Sequence, residues 1–117
     1  MTKQNKYDRI IELIDILQKE PFDIGDQTIP PLDEVSATTA KKFIQLIPNN
    51  IEYPFIDPDD DGINLVWEDN DIIRIVGIEQ YEIFFVDYAG TINSIYYGPY
   101  TFNKTIPNKI LEILSNK

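Results

Sequence analysis

The first periodic stretch of the chain is helical. Ile10, Leu13, Ile14 and Leu17 recur at i, i+3, i+4 and i+7, the spacing of one face of a helix predicted over Asn5 to Glu20. Ile11 and Ile16 widen that stripe, so cover on more than one side is expected. Pro21 has no N–H to continue the ladder and stops the helix. Residues 21–32 then carry turn chemistry in Asp23, Gly25, Asp26 and Pro30-Pro31. Asp33 stands where an N-cap belongs, with a carboxylate able to accept from the free amides of a first turn. In the second helix Ala37, Ala40, Ile44 and Ile47 form a narrow apolar face, flanked by Phe43 and Leu46. Its two small residues allow another element to approach closely. Pro48-Asn49-Asn50 ends it.

From Ile51 the period changes to two. Ile51 to Phe55 is compatible with a strand that Pro54 confines to an edge. Ile63, Leu65 and Trp67 alternate with Asn64, Val66 and Glu68, and Glu68-Asp69-Asn70-Asp71 is a turn. Further strands are predicted over Ile72 to Ile78, Gln80 to Tyr88 and, after a tight turn at Ala89-Gly90, Thr91 to Tyr97. Gly98-Pro99 breaks the run. Phe85 shares a face with Tyr81 and Ile83, Phe84 the other with Val86 and Tyr88, so that strand is expected to be covered on both faces. Phe84, Phe85 and Trp67 read as sheet packing. A last helix over Pro107 to Ser115 turns Ile106, Ile110, Ile113 and Leu114 inward. The expected fold of residues 1–117 is a single α+β domain. It has two N-terminal helices, a four- to five-stranded antiparallel meander and a C-terminal helix packed on one face.

Composition narrows the chemistry. The 117 residues, 43% hydrophobic and 26% charged, suit one globular domain. There is no Cys and no His. A disulfide framework, thiolate metal sites, a cysteine nucleophile and the commonest general base are thereby excluded. Ser36, Ser94 and Ser115 have no histidine to activate them, and the glycines at 25, 62, 77, 90 and 98 are too scattered for a phosphate loop. No catalytic residue and no cofactor is expected. No apolar run nears the ~18 residues of a membrane span, and the acid-studded N-terminal segment is no signal peptide. A cytoplasmic protein that contacts neither membrane nor nucleic acid directly is expected.

Charge is the sharpest asymmetry. The net charge is −10. Residues 43–103 hold 1 basic side chain, Arg74, against 11 acidic ones: Glu52, Asp57, Asp59, Asp60, Asp61, Glu68, Asp69, Asp71, Glu79, Glu82 and Asp87. Most fall in predicted turns. Such a cluster steers a basic protein or nucleoprotein partner, although carboxylates in hairpin turns also serve solubility. Asp57, Asp59, Asp61 and Glu68 also satisfy the calcium-loop expression D-x-D-x-D-G-x5-E. The flanking pattern opposes it: Tyr53-Pro54-Phe55 precedes, a strand follows, and Asn64 and Leu65 occupy positions that call for an aliphatic residue and an oxygen ligand. The run reads better as the turn that opens a hairpin. Tyr96, Tyr97 and Tyr100 around Gly98-Pro99 have the composition of a protein-binding loop.

Four stretches carry a resemblance. Asp23 to Leu32 lies where a D-G-x-G-A-x-P-I loop is found. Ala40 to Pro48 matches a helix ending F-L-x-L-L-P. Pro58 to Trp67 matches a P-x-P-D-G-x-I-x-L-x-W strand opening, and Pro107 to Leu114 a P-x-x-L-x-x-L helix. In order and extent these resemble a group of small bacterial proteins of unknown function. Ile24-Gly25-Asp26 departs from that group, which is richer there in glycine and aromatic residues. Its members tend to sit near mobile-element, toxin–antitoxin or defence genes, so the resemblance implies a partner-binding role in a bacterial or phage setting.

These readings converge on a small acidic inhibitor or neutraliser, anti-CRISPR-like or antitoxin-like, that blocks a basic nucleic-acid-handling partner. Its expected contact residues are Asp57, Asp59, Asp60, Asp61, Glu68, Asp69, Asp71, Tyr96, Tyr97 and Tyr100. The alternatives are a calcium-binding module built on residues 57–68 and a structural domain that self-associates as a homodimer.

Overall fold

The computed structural model describes residues 2–116. They form three helices, α1 (Lys3–Lys19), α2 (Glu34–Gln45) and α3 (Asn108–Ser115), and seven strands. Helix α1 begins at Lys3 because Thr2 caps it, its hydroxyl accepting from the Asn5 amide at 3.1 Å. Its inward face is Tyr7, Ile10, Ile14 and Leu17. Ile16 is 49% exposed and Leu13 lies at the margin, so the helix is covered on one side and not on two.

The turn-rich segment 21–32 holds a small hairpin, β1 (Phe22–Ile24) and β2 (Gln27–Ile29). Gly25, at φ +58, supplies the left-handed backbone of its two-residue turn. Asp33 caps α2 as expected, accepting from the Ser36 amide at 2.9 Å. Ala37, Ala40, Phe43 and Ile44 are buried, so Phe43 belongs to the centre of that face and not to its flank, while Leu46 is exposed. Ser36 is buried as well. Its hydroxyl accepts from the Gln80 amide at 2.7 Å and ties the start of α2 to the sheet.

The main sheet is an antiparallel meander in the order β3 (Phe55–Pro58), β4 (Ile63–Asp69), β5 (Ile72–Glu79), β6 (Glu82–Asp87), β7 (Ile95–Thr101). Its turns therefore alternate between two ends. Turns 59–62 and 80–81 share one end, called here the 60/80 end. Turn 70–71 and loop 88–94 share the other, the 70/90 end.

Both edge strands differ from expectation. Strand β3 starts at Phe55, beyond Pro54. Strand β7 starts at Ile95, because Thr91 folds the preceding segment: its hydroxyl donates to the Tyr88 carbonyl at 2.8 Å and accepts from the Asn93 amide at 3.1 Å. Gly98-Pro99, linked by a cis peptide bond, lies inside β7 and does not end it. The register runs Ile83↔Tyr100 and then Phe85↔Tyr97, so Gly98 and Pro99 together oppose Phe84 as a bulge. An edge strand tolerates that proline.

Register fixes the faces. Ile63, Leu65, Val76, Ile78, Ile83 and Phe85 join the core with Ile14, Phe43, Ile44 and Ile110 from the three helices. Ile106, Ile110, Ile113 and Leu114 pack inward as the periodicity predicts. The opposite face of the sheet carries no helix among the described residues. Strand β6 is thus covered on one face only. Phe84 lies on the open face over Gly77, where an added Cβ would run into the Phe84 ring.

Candidate protein-interaction surface

The expected contact residues do not form one patch. Asp57, Asp59, Asp60 and Asp61 lie at the 60/80 end, with Glu79 and Glu82 at the neighbouring turn. Glu68, Asp69 and Asp71 lie at the 70/90 end, across the length of β4. Asp57 pairs with Asn64, so even it lies about 13 Å from Glu68 at ~3.3 Å per strand residue.

That geometry overturns the calcium pattern. Residues 57–68 form a strand, a turn and a strand, so Glu68 cannot close a loop around Asp57, Asp59 and Asp61. Asp59 is committed to the turn itself. Its Oδ1 accepts from the amides of Asp61 and Gly62, each at 2.9 Å, and its Oδ2 from Asn64 Nδ2 at 3.1 Å. Gly62 has its own reason to be glycine: a Cβ there would strike the Ile78 carbonyl of β5. No group of three or more acidic side chains among the described residues is placed to hold a metal ion.

Both ends hold acids outside the ion pairs, Glu68, Asp69 and Asp71 among them, but Lys6 and Arg74 stand at the 70/90 end and pair with Glu52 and Asp87. At the 70/90 end, Arg74 donates from Nε to Asp87 Oδ1 at 2.8 Å and from Nη1 to the Asn116 carbonyl at 3.3 Å. Asp87 is buried and also accepts from the Tyr88 amide at 3.0 Å, so it is a structural carboxylate and not an exposed turn acid. Lys6 reaches Glu52 at 3.5 Å. A groove of about 500 Å³ opens beside these residues, lined among others by Lys6, Arg9, Tyr53, Trp67, Glu68 and Arg74. Both arginines of the chain are in that set. Trp67 is half-buried in its wall, where its indole N–H donates to the Glu52 carbonyl at 2.7 Å. Burial, and then the neighbouring Tyr7 ring 6.1 Å away, push the Tyr53 phenol above its ordinary pKa.

At the 60/80 end the acids meet one another. Glu79 and Glu82 are directly opposed across β5 and β6. The carboxylate of Asp60 accepts from Gln27 of the small hairpin at 3.0 Å, which brings Asp23 and Asp26 to the same end. The ion pairs Lys6–Glu52, Lys41–Asp15, Arg74–Asp87 and Lys109–Glu112 involve none of these acids.

The three tyrosines also separate. The bulge puts Tyr97 and Tyr100 on the same helix-side face, half-buried against the core, Tyr97 with its ring 6.0 Å from Phe85. Lys109 lies over the Tyr97 ring at 6.0 Å. Tyr96 alone faces the open side, stacked on Phe84 at 5.7 Å and 57% exposed. The expected tyrosine loop is therefore an edge strand with a single outward ring. The open face was missed in the sequence although its signal is there: Phe55, Val66, Ile75 and Val86 hold the positions that alternate with the core.

No protein-family model matches the chain, and neither a curated protein nor a solved structure does. No helix among the described residues is long and apolar enough to cross a membrane.

Proposed function

We propose that the chain is a non-catalytic protein-binding inhibitor or neutraliser, anti-CRISPR-like or antitoxin-like, of a basic nucleic-acid-handling partner. The observation that carries it is the 60/80 end. Asp57, Asp60, Asp61, Glu79 and Glu82 gather there at the sheet rim, apart from the ion pairs that neutralise acids elsewhere. Such a field steers a cationic partner and competes with the phosphates it would otherwise hold. The test uses the chain and its D60K/D61K variant, which spares the turn-forming Asp59, as paired baits in a native host lysate. A basic nucleic-acid-handling protein should be retained by the first and not the second, should elute as salt rises, and should lose activity in the complex. Retention indifferent to salt and to the charge reversal contradicts the reading.

A further inference from the structure

The open face of the sheet bears a continuous apolar row. Phe55 pairs with Val66, Val66 with Ile75, Ile75 with Val86 and Val86 with Tyr96, one residue from each strand. With strands ~4.8 Å apart the row runs about 19 Å. Phe84, laid on Gly77 and stacked on Tyr96, broadens it. Phe55 is 71% exposed at one end and Tyr96 57% exposed at the other. No helix packs here among the described residues, so these side chains are not what closes the core.

The charges on this face select its occupant. By register, Asp57, Glu79 and Glu82 project to the same side as the row at its 60/80 end, whereas Glu68, at the other end, lines the groove with Lys6, Arg9 and Arg74. Arg74, the one cation in residues 43–103, is turned to the other face with Asp87. A second copy laid on this face would set carboxylates against carboxylates around the shared apolar strip, between chains of net charge −10 each. The complementary surface is an apolar stripe with lysines or arginines on its flanks.

We infer that the row Phe55–Val66–Ile75–Val86–Tyr96 is the docking surface for a basic amphipathic segment of a protein partner. The acids of the 60/80 end steer that segment, and the row supplies its contact area. This rests on the function proposed above and moves its contact site from the turns to the open sheet face.

The probe is a synthetic Leu/Lys amphipathic helix, compared with a Leu/Glu and a Ser/Lys version, titrated into the full chain with amide shifts followed by NMR. The Leu/Lys peptide is expected to shift Val66, Ile75, Val86 and Tyr96. It should bind at least about tenfold more weakly to V66T/V86T, a fold-preserving pair of β-branched substitutions. The Leu/Glu peptide should shift nothing. Shifts confined to residues 59–61 and 79–82, equal for Leu/Lys and Ser/Lys, would overturn the docking row while leaving the charge-steered function standing. No response to either cationic peptide overturns both. Sedimentation of the free chain as a dimer that V66T/V86T dissolves assigns the row to a second copy and also overturns the inference.

Discussion

The two faces of the one sheet have similar hydrophobic residues and opposite fates. On the helix side Leu65, Val76, Ile83 and Phe85 are fully buried. On the open side Val66, Ile75, Phe84 and Val86 are only half-buried, and Phe55 and Tyr96 protrude. Alternation alone cannot rank the faces, because both are apolar. What ranks them is where α1, α2 and α3 bring their stripes. Apolar residues on the covered face hold the fold, whereas those on the open face add little to it and are available for binding.

The largest effect should follow from the covered face. Phe85→Ala removes a fully buried ring that packs against Tyr97 and is expected to cost about 3–5 kcal/mol in urea unfolding. A loss as small as that of an open-face substitution would show that the ranking of faces is wrong.

Next comes Asp87→Ala, which strands the Arg74 guanidinium at the rim of that face. The side chains of the pair are only 14% and 10% exposed, so breaking it should cost about 3 kcal/mol. Removing an acid from so acidic a chain would stabilise it if Asp87 were an ordinary turn carboxylate, and the sign of the change in melting temperature separates the two cases. The sequence alone favours that ordinary role, since Asp87 stands beside a predicted turn and its partner Arg74 is thirteen residues away.

Other features were legible for equally local reasons. The caps and periodicity of α2 and α3 are written in adjacent residues, and so is the order of the meander. The β1–β2 hairpin was not, because arms of three residues are too short to show a period. Strand β7 was displaced by four residues because Gly98-Pro99 reads as a break, whereas pairing with β6 absorbs it as a bulge. That bulge decides which tyrosines face the helices, and no local pattern encodes it. The acids are plain in the sequence, but their division between two ends depends on the alternation of turns along the whole meander.

Gly77→Ala sharpens the comparison at an intermediate scale. The new methyl would push Phe84 off the sheet and away from Tyr96, at a cost of about 1–3 kcal/mol. Pairing it with Phe84→Ala should recover part of that loss, since the clash is with the ring and not with backbone. Chemical denaturation of the two single variants and the double variant gives the coupling directly. Additive losses would mean that Phe84 does not rest on the glycine.

The smallest effect is expected where the row is most regular. Val66→Thr and Val86→Thr keep β-branched side chains on neighbouring strands and turn a hydroxyl toward water, so each should change stability by less than about 1 kcal/mol. The same exchange at Val76, fully buried on the covered face, should cost about 1–3 kcal/mol, because its hydroxyl would find no partner. Thermal melts of the three variants read the contrast under one set of conditions. Equal losses at positions 66, 76 and 86 would mean that the open face is sealed in the folded chain and has nothing to offer a partner. A loss at 76 alone leaves a five-strand apolar row that folding does not require, edged by acids that no strand residue on its own side neutralises. A surface of that kind lowers solubility unless something covers it, and the carboxylates at its 60/80 end favour the cationic cover proposed above.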